Sequence, residues 1–190
     1  MFDFEPDAYI FTKFANYFKR RKKKREAEIA HAVSLVDIKP RLTIFARAIT
    51  GNSIEIFEAE HEGGYRNNNF FLPKRVTVFE SVDENIAFYL FRVLYLSIQK
   101  NLGFNWEDDL EHDLTISREM ARNTGNDVLK VLFEQFPITQ DYFDKFVQFF
   151  KNVAKDEASE DYSYIYGKWM RNSKEETPDK NLENFTDKVK

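Results

Sequence analysis

Apolar residues in this chain gather into blocks, and the densest block, Ile86 to Ile98, reads IAFYLFRVLYLSI with only Arg92 and Ser97 interrupting it. A helix that is apolar on every side has to be covered on every side. The block therefore predicts the buried central helix of a mainly α domain, over about residues 83–102. Gln99, Lys100 and Asn101 close it well before the roughly 20 residues that a bilayer span requires. Ser81 and Glu84 stand at the spacing at which a hydroxyl and a carboxylate reciprocally cap a first helical turn, and Gly103 supplies the stop.

Helical spacing recurs elsewhere. Tyr142, Phe143, Phe146, Val147, Phe150 and Val153 lie on one face of a helix over Asp141 to Val153, with Thr139 as its expected N-cap. Ile116 to Phe136 reads as a further helix, weakened or broken at Gly125 and Asn126 and ended by Pro137. Pro40 suits the first turn of a helix through Arg41 to Ile49, with Gly51 and Asn52 offering a left-handed cap. Residues 7 to 34 read as one long helix, in which Tyr9, Phe11, Phe14, Tyr17 and Phe18 precede the cations Lys19, Arg20, Arg21, Lys22, Lys23, Lys24 and Arg25. Ser53 to Ala59 and Val76 to Phe79 have strand character, with Gly63, Gly64 and three asparagines between them. They predict a small β-hairpin or flap of two or three strands, over about residues 53–79, that leans on the helices. The expected fold is a helical bundle around the central helix. Its expected parts are an N-terminal amphipathic and basic helix (1–34), a helical core domain with the flap (35–171) and a polar linker or tail (172–190).

Composition agrees with long regular elements: 20 Phe and 9 Tyr stand against 6 Gly and 5 Pro. The absence of cysteine excludes disulfides, thiolate zinc sites and iron–sulfur ligation within the chain. The N-terminal stretch MFDFEPDAYIF lacks the marks of a secretory signal, so a cytoplasmic location is expected. A net charge of −4 gives no general preference for nucleic acid.

The sequence offers little catalytic chemistry. It contains no phosphate-binding loop, dinucleotide fingerprint, nucleophile elbow or H-E-x-x-H pair. Glu107, Asp108, Asp109, Glu111 and Asp113 surround His112, but a calcium loop starting at Asp109 would need Gly and Glu where Leu114 and Met120 stand. These residues read as a solvated acidic connection, and His61 as a loop residue. Asp161, Tyr162 and Ser163 begin like a D-x-S-x-S metal motif, which Ile165 then breaks. No catalytic, cofactor-binding or metal residue is therefore expected. The one sharp electrostatic feature is the Lys19 to Arg25 run. It can be merely solvated, can attract an anionic membrane surface, or can bind an acidic protein. Nucleic acid is disfavoured, because the neighbouring aromatics are spaced as a helix face rather than as a stacking platform.

The segment FFLPKRVTVFESVDENIAFYLFRVLYLSIQKNLGFNW, Phe70 to Trp106, together with PRLTIFARAITGNSIEIFEAEHEGG, Pro40 to Gly64, resembles the N-terminal region of the NorD/CbbO family. Members of that family are longer activators that carry a C-terminal von Willebrand A domain and work with a MoxR-type AAA+ ATPase on a client metalloenzyme, nitric oxide reductase or Rubisco. Within these 190 residues no D-x-S-x-S site of a von Willebrand domain is found, so the resemblance is expected to be to the family's N-terminal part alone. The resemblance implies a non-enzymatic adaptor that docks the ATPase, and it transfers no individual site residue. The alternative expectation is a peripheral helical protein held at the inner face of the membrane by its aromatic and basic N-terminal helix.

Overall fold

A computed structural model of the chain describes residues 30–108, 110–153 and 162–172. Six helices account for about 58% of it, with five short strands, so the chain is mainly α. In order these are β1 (Val33–Ser34), α1 (Leu35–Thr50), β2 (Glu55–Ala59), β3 (Gly64–Arg66), β4 (Asn69–Pro73), β5 (Arg75–Val76), α2 (Val82–Asn101), α3 (Leu114–Asn123), α4 (Gly125–Gln135), α5 (Ile138–Val153) and α6 (Ser163–Tyr166). Among the described residues no helix is long and apolar enough to cross a membrane.

α2 corresponds to the Ile86 to Ile98 block. Half of the expected capping box forms at its start: Glu84 N–H donates to Ser81 Oγ at 3.1 Å, while the Glu84 carboxylate accepts from the Ser81 hydroxyl at 2.8 Å rather than from the Ser81 backbone N–H. Every residue from Phe91 to Gln99 is buried. α1, α4 and α5 pack against the helix, together with β1, β3 and β4. On the α5 side the contact is nearly all rings. Phe79 lies 4.9 Å from both Phe146 and Phe149, Phe88 5.2 Å from Phe146, and Phe91 5.6 Å from Phe146. Offset and edge-on rings at these separations add roughly 0.5–1.5 kcal/mol per pair beyond the area they bury. Asn85, fully buried, closes the entrance to this cluster. Its Oδ1 accepts from Phe79 N–H, and its Nδ2 donates to the carbonyls of His31, Phe79 and Ser81.

The β region is a three-stranded sheet of order β2-β4-β3, parallel between β2 and β4 and antiparallel between β4 and β3. A parallel pair so close in sequence is possible because β3 runs back along the far edge before a two-residue turn reverses the chain. Asn67 takes φ 51° in that turn, a conformation asparagine tolerates well. Ile56, Phe70 and Leu72 point inward, while Phe57 and Phe71 stack outside at 5.8 Å. Tyr89 Oη–H donates to the Pro73 carbonyl at 2.7 Å and so pins the end of β4 to α2.

Several expectations change. The long helix through residue 34 does not extend that far: Val33 and Ser34 pair antiparallel with Val76 and Arg75, so tertiary pairing overrides local helical spacing. The next helix begins at Leu35, leaving Pro40 in its interior. Val36 is exposed, so water can satisfy the carbonyl that Pro40 leaves without a donor. Gly51 does end the helix, at φ 67°. Of Val76 to Phe79 only Val76 belongs to a strand, with Arg75, and it pairs with β1 rather than with the flap. The Ile116 to Phe136 segment is two helices that meet at Thr124; at Gly125 a Cβ would press on the Tyr166 ring, so close packing requires the glycine. Thr139 is not an N-cap. It sits inside the first turn of α5, where its hydroxyl donates to the Phe136 carbonyl at 2.6 Å.

Candidate functional site

Beside the ring cluster, one helical turn on from Phe88, α2 carries Arg92, the cation that interrupts the apolar block. It is 0% exposed. A buried charge must be paired or fully hydrogen-bonded. Nη1 donates to the Ile165 carbonyl, Nη2 donates to the Glu62 carbonyl at 3.2 Å, and the guanidinium lies over the Tyr95 ring at 5.7 Å. Burial pulls its pKa down to about 10, so it stays charged at neutral pH. The Glu62 side chain, also buried, receives a two-pronged bond from Arg118 of α3, Nε and Nη2 each at 3.0 Å. Burial alone would raise the Glu62 carboxyl, but the Arg118 hydrogen bonds and charge hold it below the usual carboxylate value.

Two glycines let these groups meet. Gly63, at φ 68°, turns the chain so that a Cβ would strike the Phe71 carbonyl, and Gly167, at φ 72°, would bring a Cβ to 2.5 Å from Arg92 Nη2. Gly167 also opens an extended strap, residues 167–172, that is laced down by its own backbone. Lys168 N–H donates to Gly63, Trp169 N–H to Ser117, Met170 N–H to Asn105 Oδ1 and Asn172 N–H to Trp106. The Asn172 side chain accepts from Asn67 N–H and from Asn105 Nδ2. Asn172, expected to open a polar tail, is therefore tied to the hairpin turn and to the loop after α2.

The strap forms one wall of an open groove of about 570 Å³, within the range of ligand clefts. Its other walls are Arg66 of β3, the Trp106 to Leu114 loop and Ser117. Trp106 stacks on His112 at 3.7 Å, meets Trp169 edge-on at 5.1 Å and donates through Nε1 to Ser117 Oγ. A second groove, of about 430 Å³, lies along α3 between Arg118 and Arg122 on one side and Tyr162 and Tyr166 on the other.

The acidic connection has defined duties. Asp113 caps α3 by accepting from Thr115 N–H at 2.7 Å, a bond that lowers its pKa. Asp108 is held below its usual value chiefly by its hydrogen bond to His112 Nε2 at 2.7 Å. Among the described residues no three His, Cys, Asp or Glu side chains are grouped as they would be to hold a metal ion. His61 is exposed in the β2–β3 turn. The Lys19 to Arg25 run and Asp161 lie outside the described residues. Sequence reasoning missed the groove residues Arg66, Trp106, Lys168, Trp169 and Arg171, although both tryptophans of the chain are among them. Arg92 did give a signal, because a cation inside an apolar helix has to find acceptors. Neither a protein-family model, nor a curated protein sequence, nor a solved structure matches the chain.

Proposed function

We propose that the chain is a non-enzymatic adaptor module that acts by binding another protein. In this reading α2 is the spine of a helical bundle, the sheet is a lid on it, and the groove between strap and hairpin is the working surface. The observation that carries the reading is the contrast inside the site. The buried Arg92 is spent on backbone carbonyls and the buried Glu62 carboxylate on the half-exposed Arg118, which leaves the tryptophans as the large side chains that the groove presents. Trp, Arg and Met dominate the energetic centres of protein interfaces.

On the Pro40 to Trp106 resemblance the partner is a MoxR-type AAA+ ATPase, with activation of a client metalloenzyme as the outcome. Co-elution of the chain with that ATPase, and a change in its ATP turnover, are the expected results. Absence of binding at about 50 μM, where even a weak specific complex of roughly 6 kcal/mol is populated, would remove the ATPase as partner. The alternative is peripheral membrane attachment through Phe11 to Arg25, a segment supported by the sequence alone. It requires binding to anionic vesicles that is lost when Lys19 to Arg25 are replaced by Gln.

A further inference from the structure

Independently of the adaptor reading, we infer that a cleft between the start of α2 and α5 is occupied by the chain's own N-terminal segment, with Phe11, Phe14 and Phe18 as its anchors. The cleft, about 220 Å³, is walled by rings: Phe79 just ahead of α2, and Tyr142, Phe146 and Phe149 on α5. Phe79 packs on both Phe146 and Phe149, yet Phe149 and Tyr142 remain only partly buried. An aromatic surface left half-covered gains from a further ring. Charge does not choose the occupant. Glu80 and Glu84 line the cleft together with Lys145, Glu84 is bonded to the Ser81 hydroxyl, and Lys145 lies over the Tyr142 ring at 5.6 Å. Tethering and ring spacing choose it.

The tether is set by Asn85. Its Nδ2 donates to the His31 carbonyl at 2.9 Å, and the same side chain bonds both the N–H and the carbonyl of Phe79. Residues 1–29 therefore join the described fold beside a ring that walls the cleft. From Phe18 to Ala30 the chain can span up to about 40 Å, ample for turning back to it. A tether of this kind acts as an effective concentration on the order of millimolar, so modest contacts suffice. Competing segments are worse placed or lack rings. Asn172 is fastened to Asn67, Asn105 and Trp106, beyond the C-terminal end of α2, so the tail would have to run back along the roughly 30 Å of that 20-residue helix. Residues 154–161 offer no apolar side chain larger than alanine. Spacing is the second reason: Phe11, Phe14 and Phe18 stand at i, i+3 and i+7, the anchor positions by which an amphipathic helix fills a groove. The run Lys19 to Arg25 stays in water, because successive cations cannot be buried together. A docked segment also withholds its rings from a membrane, so the peripheral alternative requires this contact to be released.

The chain has no cysteine, so two introduced ones can carry spin labels in the full chain without interference. One is Asn16→Cys, which helical spacing puts opposite the three anchors, and the other is Asp144→Cys, exposed on α5. The expected result is a single narrow distribution of distances between the labels, centred at roughly 20–30 Å, or about two helix diameters with the label arms. The triple variant Phe11→Ala/Phe14→Ala/Phe18→Ala should widen that distribution about twofold or more, and since alanine favours helix more than phenylalanine does, the widening reports lost docking rather than lost helix. Tyr142→Gln, a change in the cleft wall, should widen it as well, with the helical circular dichroism of the chain retained. A distribution that is already broad with the anchors in place overturns the inference, as does an unchanged width in either the triple variant or Tyr142→Gln. The same distance arising between singly labelled Asn16→Cys and Asp144→Cys chains mixed together also overturns it, because the occupant is then the segment of a second copy.

Discussion

On its α5 flank, α2 is held by rings: Phe88 and Phe91 meet Phe146, and Phe79 closes the cluster. On the flank facing the strap, the same helix is held by one guanidinium that reaches carbonyls at Glu62 and Ile165, residues far from it in sequence. The first kind of contact is non-directional and scales with area, so it constrains volume and tolerates a change of shape. The second is directional: Nη1 and Nη2 each give a distant carbonyl a donor, while the buried Nε finds no acceptor. Sites that must hold a fixed geometry are better supported by the second kind, and the groove borders that flank.

The largest effect should come from emptying the ring cluster. Phe91→Ala is expected to cost about 4 kcal/mol by chemical denaturation, because the transfer term and the cavity term add at a position 2% exposed. Phe91→Leu, which keeps most of the volume, should cost under about 1.5 kcal/mol. If the two variants were equally damaging, the contact would depend on ring geometry rather than area, and the contrast between the flanks would weaken.

Arg92 sharpens the contrast from the other side. Arg92→Lys keeps the charge but replaces a forked donor with a single nitrogen, which cannot hold the Glu62 and Ile165 carbonyls together. The expected cost is about 3 kcal/mol, on the order of breaking a buried polar pair. A signature beyond stability is expected in the tryptophan emission, since Ile165 and Gly167 lead directly into the strap that carries Trp169. A conservative swap would thus be harsher at Arg92 than at Phe91. Near-native stability in Arg92→Lys would show that the guanidinium fork is dispensable.

The same division governs what could be read from the chain. The Ile86 to Ile98 block, the Ser81 and Glu84 cap and the Gly51 stop are local in sequence, and each was legible because its physics acts within one or two helical turns. β3 and β4 were not, since a run of asparagines followed by Phe-Phe-Leu-Pro has no clean alternation and becomes a sheet only by pairing with β2. The Val33 and Ser34 strand was hidden for a similar reason: its partner, Arg75 to Val76, is distant. The groove was least legible of all. Arg66, Trp106 and the strap come from three separate stretches, brought together by backbone bonds such as Trp169 to Ser117 that leave no residue-type signature. Only Arg92 and the paired glycines Gly63 and Gly64 hinted at a polar junction.

The smallest expected effect tests the junction electrostatically. The Glu62 carboxyl titrates below its ordinary value in the folded chain, with burial opposing and the Arg118 bonds and charge outweighing it. A group with a depressed folded pKa contributes stability that is fully present above the unfolded carboxylate value and is lost as pH falls through the folded one. Wild type should therefore lose this contribution on acidification below about pH 4.5, the ordinary value for Glu. Glu62→Gln should be less stable at neutral pH by about 1 kcal/mol, a figure discounted because Arg118 is 36% exposed. Its midpoint should then converge on that of wild type as the acid range is entered, because both lack the ionised partner there. Parallel pH profiles for the two proteins would mean that the Glu62–Arg118 pair adds nothing beyond shape, and that the strap flank is held by Arg92 and the backbone lacing alone.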